Sequence, residues 1–472
     1  MPAAFDVEVT LARPAAAAGA EPEEPVRACI RVKPQNGGPA RPRLDLSFVL
    51  DASASMHRFV LDPQQREQWR QRAEQRGEIS RQSTDGRTGM VWTGQTLREL
   101  QQVVSTPMLS SLRGVWRTLE SLELSDQISV TAFADQAAPI YQDTGAGSRD
   151  ERLATAKVAL GRLGSGVDES GLGRGTRLAA ALHGALSRSA QVPGQDAAEV
   201  VRRIILVSDG IIEDAEACRP LLDRAVDHGV VISVIGVGDE FDEEFLMGIA
   251  DLTRGNYYYA PTAPEVEQAM AAEREVVAGT VARKARLSIV PEAGSIFHDV
   301  YPVAPTFSEF RATWVEDGAW SFHLGDLSTN QKTELLLELA PAAHGEGQVR
   351  IGSVRVEGHT PESGESFTAE APVQLYYTSD PMLLQARDEE VLETAQRLEI
   401  YREERRAAEA LSRGDRDSAT RHLQSATRML RQVGAAELAD EMDAAADDAA
   451  AGTRDLSRTK RVKAGTRRLN RG

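Results

Sequence analysis

The segment LDLSFVLD at residues 44–51 constrains the fold of this chain more than any other feature. It is a nearly continuous apolar run that ends in a carboxylate, and such runs are typical of strands buried on both faces of a parallel sheet. Similar runs recur at 203–209 (RIILVSD) and 230–237 (VVISVIGV), with helical patterns between them. Strands that alternate with helices predict a doubly wound, mostly parallel α/β sheet, with ligands at the carboxyl ends of the strands.

The α/β series extends to about residue 281 and is predicted to contain six strands. One strand is expected at 127–134, and NYYYA at 256–260 predicts an edge strand rather than a recognition patch. A helix should begin at Thr106-Pro107, because a hydroxyl cap followed by proline suits the first turn. One face of that helix carries apolar residues at 3–4 spacing, namely Leu109, Leu112, Trp116 and Leu119. Further helices are predicted at about 150–163, 177–189, 214–228, 242–254 and 264–281.

The hydrophobic period changes to two between residues 283 and 377, where Gly, Pro and Asp turns separate short runs. This pattern predicts an antiparallel β-sandwich. The strands predicted at 5–11 (FDVEVTL) and 26–32 (VRACIRV) have no neighbours in the α/β series, so we assign them to the same sandwich. The predicted fold class is therefore a doubly wound α/β sheet inserted in a discontinuous antiparallel β-sandwich and followed by a C-terminal helical region.

The C-terminal part begins near Pro381, where helix-forming residues dominate, and Gly414 and Asp415 separate two helical patterns. This arrangement predicts an αα-hairpin, and a single such unit is not a repeat array. The final stretch is basic and could bind nucleic acid or an acidic partner, but such a run is more often a solvated helix or docks on the acidic body of its own chain. The predicted domains are the N-terminal sandwich strands (1–40), the α/β domain with an insert at 57–106 (41–281), the rest of the sandwich (282–378), the helical hairpin region (379–450) and the basic tail (451–472).

Polar oxygen donors follow the first central strand. Asp51 is its last residue, and Ser53 and Ser55 lie in the turn beyond it. Because alternate residues of an extended segment point the same way, the carboxylate and both hydroxyls can converge on one point. Asp209 ends a second apolar strand, and Thr176 lies where a glycine-rich loop meets a helix. We expect these five residues to form one site.

A set of five hard oxygen donors suits Mg²⁺ or Mn²⁺, and no nitrogen or sulfur ligand favours zinc. Two carboxylates and three hydroxyls leave such an ion poorly neutralised, so a carboxylate from outside should complete its coordination. A lone DxSxS motif most often caps a helix. The two further motifs, in the expected order and at strand and helix ends, favour metal binding over a degenerate, metal-free site.

At these residues the chain resembles a known family. LDLSFVLDASASM, GRGTRLAAAL and ILVSDG are similar to the three loops of the metal-ion-dependent adhesion site (MIDAS) of von Willebrand factor A (VWA) domains, over roughly residues 44–281. The resemblance implies that Ser53, Ser55 and Thr176 ligate Mg²⁺, or Mn²⁺ or Ca²⁺, directly or nearly so. It implies that Asp51 and Asp209 act through water and that a partner's Glu or Asp takes the open position.

One departure from the family is an insert of about fifty residues, 57–106, between the serine turn and the first helix of the domain. The insert is rich in Arg and Gln and contains TGMVWTGQT, which predicts a hairpin. It emerges beside the predicted metal site, where its arginines are expected to help the ion attract an acidic partner, namely Arg66, Arg70, Arg72, Arg76 and Arg81. It could be a lid that reads a partner, which we favour because loops at the ligand end of a sheet usually carry specificity. The alternative is a solvated surface excursion.

Composition narrows the classes of function. The net charge of −17 argues against nucleic-acid or anionic-membrane binding by the body of the protein. Two distant cysteines and no apparent signal peptide or membrane span favour a reducing, cytoplasmic setting. No GxSxG, HExxH or GxxxxGK[ST] motif occurs, and no nucleophile is paired with a base, so we expect no enzyme.

The predicted function is a divalent-metal-dependent scaffold that captures a carboxylate on a protein partner. The order of strands, A domain, sandwich and helices resembles bacterial proteins labelled calcium-activated chloride channel-like, although no membrane segment is predicted here. That resemblance implies a role in stress, signalling or conflict systems, alongside kinases, phosphatases or AAA+ ATPases. The alternative is a non-catalytic subunit of a chelatase-like AAA+ assembly. A surface adhesin is disfavoured, because no signal peptide is apparent.

Overall fold

A computed structural model of the chain describes residues 5–34, 41–59, 63–84, 87–92, 94–143, 147–164, 171–191, 200–310, 313–315, 318–361, 364–453 and 455–470. Its strands are β1 (Phe5–Leu11), β2 (Ala15–Ala17), β3 (Val26–Pro34), β4 (Arg43–Asp51), β5 (Ile79–Thr84), β6 (Arg87–Trp92), β7 (Gln127–Phe133), β8 (Ala137–Gln142), β9 (Val200–Ser208), β10 (Val231–Val237), β11 (Tyr257–Ala260), β12 (Thr280–Pro291), β13 (Ile296–Ala304), β14 (Thr313–Val315), β15 (Ala319–Ser328), β16 (Thr333–Ala340), β17 (Gly347–His359) and β18 (Ser366–Thr378).

The helices of the described residues follow the same chain order. They are α1 (Pro63–Arg76), α2 (Gly94–Val103), α3 (Pro107–Ser121), α4 (Arg149–Gly164), α5 (Ala179–Gln191), α6 (Ala215–His228), α7 (Glu243–Thr253), α8 (Ala263–Ala278), α9 (Pro381–Leu384), α10 (Glu389–Ser412), α11 (Arg416–Gln432), α12 (Ala436–Ala451) and α13 (Leu456–Arg467), together with a short 3₁₀ turn at Ala54–His57. Within the described part of the chain, no helix is long and apolar enough to cross a bilayer.

A six-stranded sheet with the order β11-β10-β9-β4-β7-β8 forms the centre of the α/β domain. Five strands are parallel, and β8 pairs antiparallel with β7. The mostly parallel sheet and the edge position of β11 confirm the predicted fold. Six strands were expected but only five were located in the sequence. The sixth, β8, breaks the expected alternation of strands and helices, because a tight turn at 134–136 returns the chain directly into it.

Each face of this sheet packs on its own hydrophobic core. Phe48 and Leu50 of β4 face one core, and Val49 between them faces the other. All three side chains are fully buried, as a nearly continuous apolar strand requires. The position of β4 between β9 and β7 therefore places the carboxyl end of β4, and the turn that follows, in the middle of the sheet edge.

Helix α3 begins where the sequence predicts. The Thr106 hydroxyl accepts the N–H of Leu109 at 3.3 Å, and proline stands in the first turn. The prediction of which face is buried is partly wrong. Met108, Val115 and Leu119 lie in the core, whereas Leu109 is 41% exposed. The apolar residues of α3 thus cover more of the helix circumference than the core can bury.

Two sheets form the predicted sandwich, with the orders β1-β3-β16-β13 and β14-β15-β12-β17-β18-β2. Their strand pairs are antiparallel except for the short β2, which pairs parallel with β18. Strand β3 lies between β1 and β16, where Ile30 is opposite Leu335. The first strands of the chain therefore pair with strands some 300 residues later, and the α/β domain is inserted between them, as predicted. Strands β2 and β13 were not predicted.

The C-terminal helices include the predicted hairpin, α10 and α11, which turn at Gly414 with φ 76°. The basic end of the chain forms α13. Arg467 donates two hydrogen bonds to Asp251 of α7, and Lys460 Nζ donates to the Phe241 carbonyl at 2.9 Å. Of the alternatives considered for the basic tail, the structure shows docking on the acidic body of the chain.

The insert folds as α1, a β5–β6 hairpin and α2. The segment TGMVWTGQT, predicted to form a hairpin by itself, supplies only the second strand, and α2 begins at Gly94. Trp69 of α1 and Leu100 of α2 form a small core of their own, on which Phe59 and Val104 pack from the two ends of the insert. The ends of the insert are therefore close together.

Elsewhere in the chain the two cysteines, Cys29 and Cys218, are buried and form no disulfide.

Candidate metal centre

Asp51, at the end of β4, is the most buried member of the candidate site, with no exposed surface. Its carboxylate accepts the backbone N–H of Ser53 at 2.9 Å and the hydroxyl of Ser208 at 2.6 Å. Ser208 is the last residue of the neighbouring strand β9. These two bonds hold the Asp51 side chain in one orientation at the sheet edge, as a ligand or a water-bridging carboxylate requires.

The serine turn and the end of β9 meet directly. Ser55 Oγ donates to Asp209 Oδ1 at 2.7 Å, and Ser53 Oγ lies 3.0 Å from Ser55 Oγ. Ser55 belongs to the 3₁₀ turn that follows β4, so its hydroxyl faces the same region as that of Ser53. The structure thus brings four of the five predicted residues together.

Thr176, the fifth residue, lies against Gly210. A Cβ atom at position 210 would come within 2.7 Å of Thr176 Oγ1, so only glycine permits this approach. Two hydrogen bonds also join the Thr176 loop to the segment that follows Asp209. The Glu213 N–H donates to the Thr176 carbonyl at 2.9 Å, and the Thr176 N–H donates to Glu213 Oε1 at 3.3 Å. Thr176 is therefore next to Asp209 in space.

Carboxylates that the sequence analysis missed hold the Thr176 loop. Asp135, which follows β7, accepts the N–H of Arg174 at 2.9 Å. Asp214 accepts the N–H groups of Leu178 and Ala179, at 2.8 and 3.0 Å, and so stabilises the start of α5. The sequence did carry a signal for Asp135, because this residue lies at the carboxyl end of a parallel strand, as Asp51 and Asp209 do.

Burial and mutual repulsion perturb both site carboxyl groups. Desolvation raises the pKa of Asp51, against the hydrogen bonds from Ser208 and Ser53. Desolvation and then the neighbouring Asp51 charge raise the pKa of Asp209 to about 7, and Arg58 lowers it only slightly. Two buried carboxylates without a full counter-charge form a site that favours a cation.

The donor set agrees with a hard divalent ion. It contains two carboxylates and three hydroxyls on loops that hydrogen bonds and a close glycine contact hold together. Across the described residues, no group of three or more His, Cys, Asp or Glu side chains is arranged to hold a metal. Only two of the five predicted donors are carboxylates, so an ion held by these residues would take further oxygen ligands from water or from another molecule.

The arginines of the insert differ from the expectation that they act as free cations near the site. Arg70 pairs with Glu67 and Glu74 at 2.6 and 2.7 Å, and Arg76 pairs with Glu99 at 3.0 Å. Arg72 stacks on Trp69. The side chains of Arg66 and Arg81, named in the same expectation, lie outside the described residues. The insert neutralises part of its own positive charge.

Comparisons with known families agree with this geometry. Residues 100–272 match the von Willebrand factor type A domain family, and residues 389–472 match the Sll0103-like C-terminal alpha-helical domain family. The chain is a VWA domain protein with an Sll0103-like helical domain. The VWA match contains Thr176 and Asp209 but begins after the serine turn, from which the insert separates it. VWA domains generally mediate protein interactions and often bind a divalent metal.

Individual relatives extend the similarity. An uncharacterized protein, sll0103 of Synechocystis sp., is 28% identical over 316 residues, which cover 66% of this chain and 71% of the relative. YfbK of Escherichia coli, also uncharacterized, is 30% identical over 94 residues, which cover 19% of this VWA domain protein and 16% of YfbK.

Two solved structures share the fold. A von Willebrand factor type A protein from Catenulispora acidiphila superposes with a TM-score of 0.73 at 16% identity, over 99% of this chain and 97% of that one. The ArnB paralog VWA2 from Sulfolobus acidocaldarius gives 0.51 at 13% identity, over 98% of each chain. At these identities the likeness concerns the fold alone.

Proposed function

We propose that this VWA domain protein binds one divalent ion, Mg²⁺ or Mn²⁺ or else Ca²⁺, and uses it to capture a carboxylate of a protein partner. Ser53, Ser55 and Thr176 would hold the ion, with Asp51 and Asp209 beside it. The observation that supports this most strongly is the hydrogen bond of 2.7 Å between Ser55 and Asp209. It joins two loops separated by 154 residues into one oxygen-lined site.

The charges at the site explain why the proposed outside ligand is a carboxylate. Asp51 and Asp209 are 0% and 8% exposed, so water screens their repulsion poorly. In the proposal the direct ligands are uncharged hydroxyls and the two carboxylates act through water, so a divalent ion would keep positive charge at its open coordination position. An outside carboxylate is then attracted to a chain whose net charge of −17 otherwise repels it. Capture of an acidic partner would therefore depend on the ion.

The proposed role is that of a scaffold without catalysis of its own, in a bacterial stress, signalling or conflict system. In this proposal the hydroxyls of Ser53 and Ser55, which contact each other and Asp209, are ligands of the ion and not nucleophiles. Kinases, phosphatases or AAA+ ATPases are the partners that the predicted domain order suggests. Stable co-purification of an ATPase would favour the chelatase-like alternative.

Titration calorimetry with Mg²⁺ on the full chain tests the metal site. We expect binding in the micromolar to millimolar range, and Ser53→Ala should weaken or abolish it. Ser47→Ala is the matched control, because Ser47 is a buried serine within β4, before the serine turn, and its hydroxyl bonds Ser129 and Arg188 and none of the candidate ligands. Absence of heat in the wild type, or equal binding by both variants, would contradict the proposal.

A further inference from the structure

The surface between α3 and α4 carries a partly open apolar groove at the margin of the core that Phe48 and Leu50 face, against which Leu112 and Trp116 pack. Leu109, Leu112 and Trp116 of α3 form one wall, at the i, i+3, i+7 spacing of a single helix face, and Leu160 of α4 forms part of the floor. The groove has a volume of about 560 Å³. This is the face that the sequence pattern assigns to the core and that the structure leaves partly open, with Leu109 41% exposed.

Glycines in α4 keep the groove open. A Cβ at Gly161 would meet no atom within 4 Å, and a Cβ at Gly164 would meet Leu112 at 3.3 Å. Glycine within a helix costs about 0.5–1 kcal/mol relative to alanine. Gly164 has a packing reason to be small, whereas at Gly161 space is available for a larger side chain. A groove that must stay open for another molecule would explain why position 161 is a glycine.

The rim of the groove is mainly basic, whereas the chain as a whole is acidic. Arg113, Arg117 and Lys157 line it, against Glu120 alone among the acidic lining residues. Arg113 and Arg117 share the single carboxylate of Glu267 and stay 49% and 61% exposed, so both keep donors for a partner. Lys157 is exposed and forms no ion pair with any residue that the structure describes. On a chain of net charge −17, this is a local positive field.

We propose that this groove binds an amphipathic helix of a partner protein, with apolar side chains on the floor and acidic side chains toward Arg113, Arg117 and Lys157. A groove between two antiparallel helices that presents an apolar stripe accepts a third helix at i, i+3 and i+4 spacing. Aromatic and arginine side chains at the wall are typical of energetically dominant interface positions. The site does not involve the metal centre and is independent of the ion.

A designed peptide tests this proposal with the full chain in EDTA, so that the metal centre cannot contribute. The peptide is an amphipathic helix with leucines at three- and four-residue spacing and glutamates on both flanks, and its control carries lysines in place of the glutamates. By fluorescence anisotropy, we expect the acidic peptide to bind at least about tenfold more tightly, as charge complementarity across an interface predicts.

Matched variants locate the binding. Lys157→Glu should weaken the acidic peptide about tenfold, and Arg162→Glu, on the same helix outside the groove, should change its affinity by less than about twofold. Gly161→Leu should block binding, and Ala154→Leu, also exposed on α4, should not. Equal affinity for both peptides, or unchanged binding by Gly161→Leu, overturns the proposal. So does a dimer in sedimentation that Gly161→Leu dissociates, because the occupant would then be a second copy of the chain.

Discussion

Arg467, in the last turn of α13, donates hydrogen bonds at 2.9 and 2.5 Å to the two carboxylate oxygens of Asp251, a residue of the VWA domain 216 positions earlier. Arg467 is only 6% exposed, and the pair joins the Sll0103-like helices to the VWA domain. Lys460 lies about two turns earlier on the same face of the helix, with Nζ 3.3 Å from the centre of the Phe241 ring. The C-terminal domain is thereby joined to the helix that follows strand β10.

Replacing Arg467 tests how much this contact contributes. Arg467→Met should lower the free energy of unfolding by about 1.5–3 kcal/mol, because it removes two charge-assisted hydrogen bonds from the Asp251 carboxylate, which is 27% exposed. Arg461→Met is the control, since Arg461 pairs with Glu441 at the surface and is 42% exposed, and it should cost at most about 1 kcal/mol. Urea denaturation followed by circular dichroism measures both. Equal effects of the two variants would argue against a structural role for the Arg467 pair.

The repulsion between Asp51 and Asp209 leads to a second prediction. Asp51→Asn should leave the metal-free protein as stable as the wild type or more stable, because it removes one of two buried like charges, keeps one oxygen to accept the Ser53 N–H and offers an amide N–H that the Ser208 hydroxyl can accept. In the wild type, Mg²⁺ at a hundred times its Kd should add about 2.7 kcal/mol, and the variant should lose this gain. Thermal unfolding with Mg²⁺ and with EDTA makes the comparison. A variant that Mg²⁺ still stabilises fully would place the ion elsewhere.

His323 of β15 gives a pH dependence. Burial, with Arg254, Arg286 and Lys284 nearby, lowers the pKa of His323 to about 4 from an ordinary value of 6.5. Between these two values the unfolded chain binds the proton and the folded chain does not, so stability falls as pH decreases from about 6.5 to 4. His323→Gln should be less sensitive to pH in that window and should differ little from the wild type above pH 7. Denaturation midpoints of both proteins at several pH values provide the test, and parallel curves would contradict it.

The pairing of β3 with β16 predicts the effect of an N-terminal truncation. A chain that begins at residue 41 lacks β1 and β3 and exposes the edge of β16, together with Leu335 and Leu337, which are 1% and 0% exposed in the intact protein. We expect it to aggregate, as judged by size-exclusion chromatography. Residues 1–40 supplied as a separate peptide should restore part of the soluble fraction. A soluble, monomeric truncated chain would show that the sandwich does not need these strands.

The insert is predicted to affect partner capture and not the metal. Because Phe59 and Val104 pack on one small core, a short Gly/Ser linker can replace residues 61–103 without separating the ends. None of the five candidate ligands lies inside the insert, so Mg²⁺ affinity by calorimetry should stay within about twofold of the wild type. Retention of a partner identified by Mg²⁺-dependent affinity purification should fall. A large loss of Mg²⁺ affinity would make the insert part of the metal centre.

The sequence determined the elements that local patterns encode. The apolar run through Phe48 and Val49 predicts a strand buried on both faces, and carboxylates at strand ends predict which side chains meet, because parallel strands place their carboxyl ends at one edge. The assignment of β1 and β3 to the sandwich also came from pattern, since the α/β series left them no neighbours. Metal binding by Asp51, Ser53, Ser55, Thr176 and Asp209 remains a prediction from that pattern.

Tertiary structure decided what depends on contacts between distant residues. Periodicity marks Leu109 as apolar, but only the packing of α3 against α4 and α8 leaves it at an open groove. The basic tail could equally have been solvated, and its docking depends on Asp251 and Phe241 lying at matching positions on another domain. Asp135 and Asp214 bind backbone N–H groups of a loop about 35–40 residues away, which no local pattern predicts. Hydrophobic period is a property of a segment, whereas exposure and charge pairing are properties of the assembled fold.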